Sequence, residues 1–490
     1  MGKFHSMISR RDFMKGLGLS GAGLGAATAT SAPVFHDLDE LTQKHEGQRL
    51  PWWIKERDFF NPTTEVDWDL MEPYDQGLNY AYTPEQKAAL IQGKQQQIIA
   101  GIANNDPGDT LKDMALYTST RYVQARVKPP AHGIPELKFN CPSTRVELGI
   151  PKHEGTPEDN LRMITAALHF FGARYVRGHE ITEKTKKTFY KCLGPQYGGL
   201  KYTFADVDAP YEDYAHGIAL VHPNKYKWAI CYEMPQTRLS GLTQLGLGEA
   251  GVSSGYQDLA IVQAKLMSFL RGLGYDSISS GAGLGGGGGG VHVALGILSG
   301  IAEQGRVSYA VSPRNGALVR LTDWVMTDLP VTSNKPIDAG MFRFCHTCKK
   351  CAELCPSGAI SKTDEPSWEG FSWSRPGVKC WNTDMEKCLP YRGSFDTEGL
   401  FAACCSVCQA NCVFSKLNEA SIHGIIKNVI STTGAFNGFF KSMDDVFGYG
   451  SPIYLPQNGE RDPFATDWWN RDLETDPWRP SPYGGTVMGL

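Results

Sequence analysis

The sequence has no stretch of about 18 consecutive apolar residues, the length a membrane-spanning helix needs, so no spanning helix is expected and the mature chain should be soluble or peripheral. It has no dense Lys/Arg block, and the formal net charge is −4, which argues against nucleic acid as a partner. The glycine run from Gly281 to Gly290, with eight glycines, lacks the Gly-Lys-Ser/Thr of a nucleotide-phosphate loop. It also lacks a strand-then-helix dinucleotide fingerprint with a downstream acid, so ATP and NAD sites are rejected there. Such a run either flexes or lets the backbone approach a large flat ligand.

Cysteine, by contrast, is plentiful and patterned. The run Cys345-x2-Cys348-x2-Cys351-x3-Cys355-Pro356 is echoed by Cys405-x2-Cys408-x3-Cys412. This is the bacterial ferredoxin spacing, in which three close cysteines surround one 4Fe-4S cube and the last cysteine of each run ligates the other cluster. Cys345, Cys348 and Cys351 are therefore grouped with Cys412, and Cys355 with Cys405 and Cys408. The eighth ligand is open between Cys388, Cys380 and Cys404. Cys388 is favoured because a separate short segment can fold back over the cube, whereas adjacent Cys404 and Cys405 would struggle to share one cluster. A zinc site fits poorly, since zinc commonly takes two CxxC pairs and the first run already offers four cysteines followed by proline. Cys141, Cys192 and Cys231 stand singly and read as small buried hydrophobes.

The N-terminus carries Ser9-Arg10-Arg11-Asp12-Phe13-Met14-Lys15 and then a weakly apolar Gly/Ala run to Ala32. This reads as a twin-arginine export signal. Exported proteins usually oxidise paired cysteines. A route that carries folded proteins removes the conflict, because clusters can be inserted and shielded before crossing. The odd total of 13 cysteines also suits ligation better than a disulfide network.

At 490 residues the chain is too long for a lone ferredoxin and should hold two or three domains. An aromatic segment from Pro51-Trp52-Trp53 to Trp68 follows the signal. A helix is expected from Thr156 as N-cap and Pro157 through Leu161, Ile164, Leu168 and Phe171 to Gly172. Trp228 to Tyr232 has strand character. A second helix is expected over about Gly255 to Gly272, with Ser254 and Gln257 in capping-box spacing and Leu259, Val262, Leu266, Phe269 and Leu273 on one face. Tyr256 would then sit in its first turn, where partial positive charge favours a phenolate. Ala317 to Leu329, containing Arg320, suggests a strand, and a boundary falls near 330 to 340. The tail, with Trp468-Trp469 and many prolines, reads as a wrapped surface extension.

The order of these parts resembles the corrinoid-dependent reductive dehalogenases, close to the chloroethene-reducing members. Besides the export signal and the cysteine runs, the resemblance rests on Pro51-Trp52-Trp53, Glu154 to Glu158, Thr327-Asp328-Leu329, Lys335 to Gly340 and Phe447-Gly448-Tyr449-Gly450. It implies an α+β fold: a nitroreductase-like α/β corrinoid-binding core and a C-terminal ferredoxin-like domain with two 4Fe-4S clusters. The corresponding limits are 1–32 signal, 33–150 aromatic segment and start of the corrinoid unit, 151–335 core, 336–425 cluster domain and 426–490 extension. The chain lacks the Asp-x-His-x-x-Gly run by which many corrinoid enzymes supply a lower histidine, in keeping with a base-off corrinoid.

By the same resemblance, Tyr256 of the Gly255-Tyr256 pair is the proton donor and Arg320 its partner. Trp381 lines the halide pocket, Cys388 is the eighth ligand, and glycines such as Gly281, Gly283, Gly285 and Gly286 lie against the corrin. The sequence departs from relatives at Ala282, where an asparagine is found, and at Val413, where proline is common. The implied activity is respiratory dehalogenation of a chlorinated ethene, tetrachloroethene favoured, with chlorophenols or other aryl halides as the alternative. Implied partners are a small integral-membrane anchor protein and a low-potential donor of the respiratory chain, with a homo-oligomer compatible. The expected location is the outer face of the cytoplasmic membrane. Two rivals remain: an epoxyqueuosine-reductase-like enzyme and a non-catalytic electron-transfer subunit.

Overall fold

The computed structural model describes residues 50–51, 53–78, 82–111, 113–114, 151–194, 198–236, 246–280, 289–371, 374–392, 405–415, 421–446 and 468–470. The export-signal segment and Gly281, Gly283, Gly285, Gly286 and Cys404 lie outside the described residues.

The centre is an antiparallel four-stranded sheet in the order Ser277–Ser279, Val319–Thr327, Trp228–Pro235, Arg174–Glu180. Side chains alternate across it as the pleat requires. Ile230, Tyr232 and Val325 join Ile164, Leu168 and Leu266 of two helices on one face. Ala229, Cys231, Trp324 and Met326 join Phe189, Leu220 and Leu295 on the other. Leu220 belongs to a second, five-stranded mixed sheet, and Leu295 to the helix His292–Leu298. Both faces of the central sheet are thus buried, which is why its strands read as apolar runs.

The helix Pro157–Phe171 forms as its sequence predicts. Thr156 Oγ1 accepts the Asp159 N–H at 3.1 Å, Pro157 opens the helix, and Gly172 closes it at φ 100°. The second helix differs from expectation. It spans Gly246–Leu273, so Ser254 and Gln257 are interior and Tyr256 lies ten residues in. The helix-terminal field invoked for Tyr256 fades within the first turn and does not reach it. Three glycines in the first turns lower helix propensity and hid this start. Burial overrides it: every residue from Gly246 to Ser253 is buried. Gly246, at φ +47°, lets the chain approach the Gly108 carbonyl, which accepts the Leu247 N–H at 2.8 Å. A Cβ there would collide with that carbonyl.

The N-terminal aromatic segment is stitched to the cysteine-rich region. Lys55–Glu56 pairs with Ile337–Asp338, and Glu65–Val66 with Val378–Lys379. Ile54, Ile337, Met341, Phe344, Phe414, Ile430 and Phe440 share one apolar cluster, so the cysteine region packs on the core through a continuous interface. Residues 50–490 cluster accordingly as one compact unit.

Two register shifts flank Glu233 in the central sheet, one between Arg320 and Asp323 and one between Arg174 and Arg177. At the second, Tyr175 takes φ +49°. Glu233 is fully buried and accepts from Asn315 Nδ2 at 2.7 Å. Burial pushes its carboxyl up to about 7, against the pull of Ser312, Arg314, Asn315 and Arg174. Tyr175, Arg177 and Lys427 also face it. Between the ordinary carboxylate range and about 7 the native state holds a proton the unfolded chain has released, so stability falls as pH rises through that window. Glu303, likewise pushed up to about 7 by burial, acts with the same sign. Glu233→Gln should therefore flatten part of this decline, retaining roughly 1–3 kcal/mol more stability at pH 7.5 relative to pH 5 than the wild type does. Denaturant unfolding at the two pH values measures it, and an unchanged difference would refute the assignment.

Candidate functional site

The cysteines come from short helices that begin in one unusual turn. Cys345 and Cys348 lie on the helix Met341–Cys348, then Lys349 turns through φ +53° into Lys350–Glu353, which carries Cys351. In the echo, Cys405 is followed by Ser406 at φ +43° and by Val407–Ala410, which carries Cys408. The spacing from Cys348 to Cys355 thus repeats from Cys405 to Cys412, with a left-handed residue, Lys349 or Ser406, in the same place.

These turns bring the thiols into two groups. Burial pushes the Cys345 thiol up to about 12, and the charge of Cys412 adds to it. Cys348 is raised by burial and then by Cys345 and Cys412, and Cys351 by burial and then by Cys345, Cys412, Cys348 and, from the other group, Cys408. Cys408 is raised by burial and then by Cys405, Cys388 and Cys355. Cys388 stands on the helix Met385–Arg392, whose entry is fixed by Asp384 accepting the Glu386 and Lys387 N–H groups. Cys380 sits elsewhere, its thiol donating to Asn382 at 3.3 Å, and no cysteine is among the causes that push it up to about 11. Among the described residues no three His, Cys, Asp or Glu side chains converge tightly enough for a single metal ion. Buried thiols that raise one another are in tension as thiolates, and a polynuclear cationic group set among them would relieve it.

Two further residues, with no motif to announce them, tie this region to the core. Glu303 Oε2 accepts the N–H groups of Ala339 and Met341 at 2.9 and 3.0 Å, giving the cysteine helix a buried carboxyl acceptor at its start. Arg306, 1% exposed, donates to backbone carbonyls of Cys345, Ser361 and Thr363. Its guanidinium lies 4.4 Å from the ring centre of Trp381. Trp381 is itself buried, against His346 at 4.8 Å and Phe342 at 5.2 Å, and its indole Nε1 has no hydrogen-bond partner among the described residues.

Tyr256 is 39% exposed and follows buried Gly255 on its helix. Arg320 pairs in register with Met234 at the strand irregularity, and its side chain lies outside the described residues. Bulges of this kind re-aim side chains and are frequent beside active sites.

A cavity of about 280 Å³ opens between the aromatic segment, the helix His292–Leu298 and the stretch 374–385. Its walls are mostly apolar, with polar points at Thr64, Gln304, Ser308, Arg375 and Asn382. Thr64 Oγ1 is buried there without a hydrogen-bond partner among the described residues. Arg375 is anchored by donating to the backbone carbonyls of Lys187, Thr188 and Phe189. The glycine run rejoins the described structure at this wall: Gly289 O accepts the Tyr190 N–H at 2.6 Å, and a Cβ on Gly290 would press on the Trp324 ring. Sequence reading missed the cavity, because its lining comes from four distant segments.

Residues 49–331 match the family model of the reductive dehalogenase subunit. The chain is 33% identical to the chloroethene reductive dehalogenase of Dehalococcoides mccartyi strain VS, over 96% of this chain and 98% of that one. It is 31% identical to a trichloroethene reductive dehalogenase of another strain of that species, over 95% and 97%. To the tetrachloroethene reductive dehalogenase of Sulfurospirillum multivorans it is 36% identical, over 40% and 36%. Among solved structures, a catabolic reductive dehalogenase in complex with 3-bromo-4-hydroxybenzoic acid superposes with a TM-score of 0.53 at 19% identity. A reductive dehalogenase structure described as suggesting a mechanism for B12-dependent dehalogenation gives 0.54 at 18%. Each match covers 81% of this chain, which spans about half, 49%, of those solved chains. The likeness establishes a shared mixed helix-and-sheet fold.

Proposed function

The chain belongs to the reductive dehalogenase family, an oxidoreductase family, and we propose that it dechlorinates a chlorinated ethene, with tetrachloroethene first among them. The observation that carries this reading is the end-to-end similarity to two chloroethene enzymes, supported by the ferredoxin-type spacing of the cysteines. Neither an epoxyqueuosine reductase nor a bare electron-transfer subunit accounts for that similarity.

In this reading Cys345, Cys348, Cys351 and Cys412 hold one 4Fe-4S cluster, and Cys355, Cys388, Cys405 and Cys408 the other. Residues 336–425 act as the ferredoxin-like domain and 151–335 as a nitroreductase-like corrinoid core. When bound, a base-off corrinoid and the two clusters supply the electrons and the carbon-halogen cleavage, two electrons and one proton turning C–Cl into C–H and chloride. Thr64, whose buried hydroxyl has no partner among the described residues, would meet an amide arm of such a corrinoid, and the glycine run would lie against its face. Tyr256 delivers the proton from its phenolic oxygen, Arg320 orients it, and Trp381, buried between the cavity-lining Cys380 and Asn382, backs that wall. Export by the twin-arginine route, a small membrane anchor protein and a low-potential respiratory donor complete the proposal.

A halide-release panel on anaerobically purified enzyme with a reduced viologen tests the substrate. Tetrachloroethene and trichloroethene should exceed chlorophenols by at least about tenfold, the scale on which pocket shape discriminates between substrates. The reverse order would assign the chain to aryl halides.

A further inference from the structure

We propose that Arg306 is a positioning residue of the first cluster and a fixed buried charge that raises its reduction potential, an inference resting on Cys345, Cys348, Cys351 and Cys412 being that cluster's ligands. Arg306 follows the short strand Glu303–Gln304, outside the cysteine runs, yet it reaches into the first of them. Nε and Nη2 donate to the Cys345 carbonyl at 3.1 and 2.7 Å, and Nη2 also to that of His346 at 3.5 Å. Nη1 donates to the carbonyls of Ser361 and Thr363 at 2.8 and 2.7 Å. The fork thus clamps the turn that presents three cysteines to the loop behind it, and the Trp381 ring covers one face.

All of these bonds end on neutral carbonyls, so none cancels the positive charge. The charged groups that act on it most strongly are Cys345, Cys351 and Cys348, ahead of Asp364. Asp364 is itself paired with Lys349. Lys350, the other buried cation on this turn, is neutralised by Asp444 and Asp445. Reduction adds one negative charge to a cluster, and a fixed cation in a poorly screened interior favours the form that carries it. A clamp alone would act on cluster assembly. A charge acts on potential as well, and this separates the two roles.

The test is an EPR-monitored redox titration of the anaerobically purified full-length protein, with iron counted in parallel. Arg306→Gln should lower the reduced-to-oxidised ratio of one cluster at fixed poise by about tenfold, equivalent to about 59 mV for one electron. The other cluster should stay unmoved. Arg306→Lys, which keeps the charge and loses the fork, should titrate near the wild-type potential. A loaded cluster in Arg306→Gln at the wild-type potential overturns the inference. Should that variant fail to load the cluster, Arg306→Lys decides. A loaded cluster near the wild-type potential supports a charge role, and a lost or equally displaced cluster refutes it. Wild-type protein without 4Fe-4S signals would instead strike the cluster reading itself.

Discussion

Tyr256→Phe is expected to lower dehalogenation by about 10²–10⁴-fold, the range a positioned proton donor contributes, while iron and corrinoid contents stay at wild-type levels. The substitution removes one hydroxyl and little else. The ring is 39% exposed on a helix whose buried face runs through Leu266, Met267 and Leu270, so packing is preserved. Phenylalanine and tyrosine have nearly the same helix propensity, and a surface change of this kind usually stays within about 0.5 kcal/mol. Lost activity with intact cofactors would therefore point to the hydroxyl. Full activity would remove the proton-donor role and leave the proton to water or to another acid. Because Tyr256 lies mid-helix, the field of the helix terminus does not reach it. Arg320, at the register shift, is the residue to vary next.

The parts of this protein that could be read from sequence are those whose cause is local. Thr156, Pro157 and Gly172 fix both ends of a helix by capping chemistry, and the continuous apolar run from Trp228 to Tyr232 marks a strand that the sheet then buries on both faces. The cysteine spacing carries its own geometry, since two residues between thiols fit one tight turn. The start of the helix Gly246–Leu273 was not legible, because Gly246, which looks like a breaker, is required by the close approach of residue 108. Arg306 and Glu303 were equally silent. Each acts through carbonyls or N–H groups between 36 and 57 residues away, and a backbone partner leaves no mark on side-chain identity.

Cys388→Ser should cost about half of the iron and one of two cluster signals, because a serine oxygen replaces a thiolate and the second quartet drops to three sulfurs. The prediction rests on how the helix Met385–Arg392 is held. Asp384 N–H donates to the Ala359 carbonyl at 2.9 Å and its carboxylate caps the helix start, while Leu389 is buried beneath it. This fixes Cys388 where its charge bears on Cys408, together with Cys405 and Cys355. Symmetry with the first run would have put the ligand at residue 402, which is alanine, so a sulfur from another segment is needed. Cys380 is a poor substitute: its thiol is committed to Asn382 and it lines the cavity. Cys380→Ser should therefore keep both clusters and perturb only ligand binding. Because cluster ligation is coupled to folding, Cys388→Ser should also unfold more readily than Cys380→Ser, which thermal denaturation under anaerobic conditions reads directly. A full iron complement in Cys388→Ser would transfer the eighth position to Cys380 or Cys404, and double variants with each would identify which.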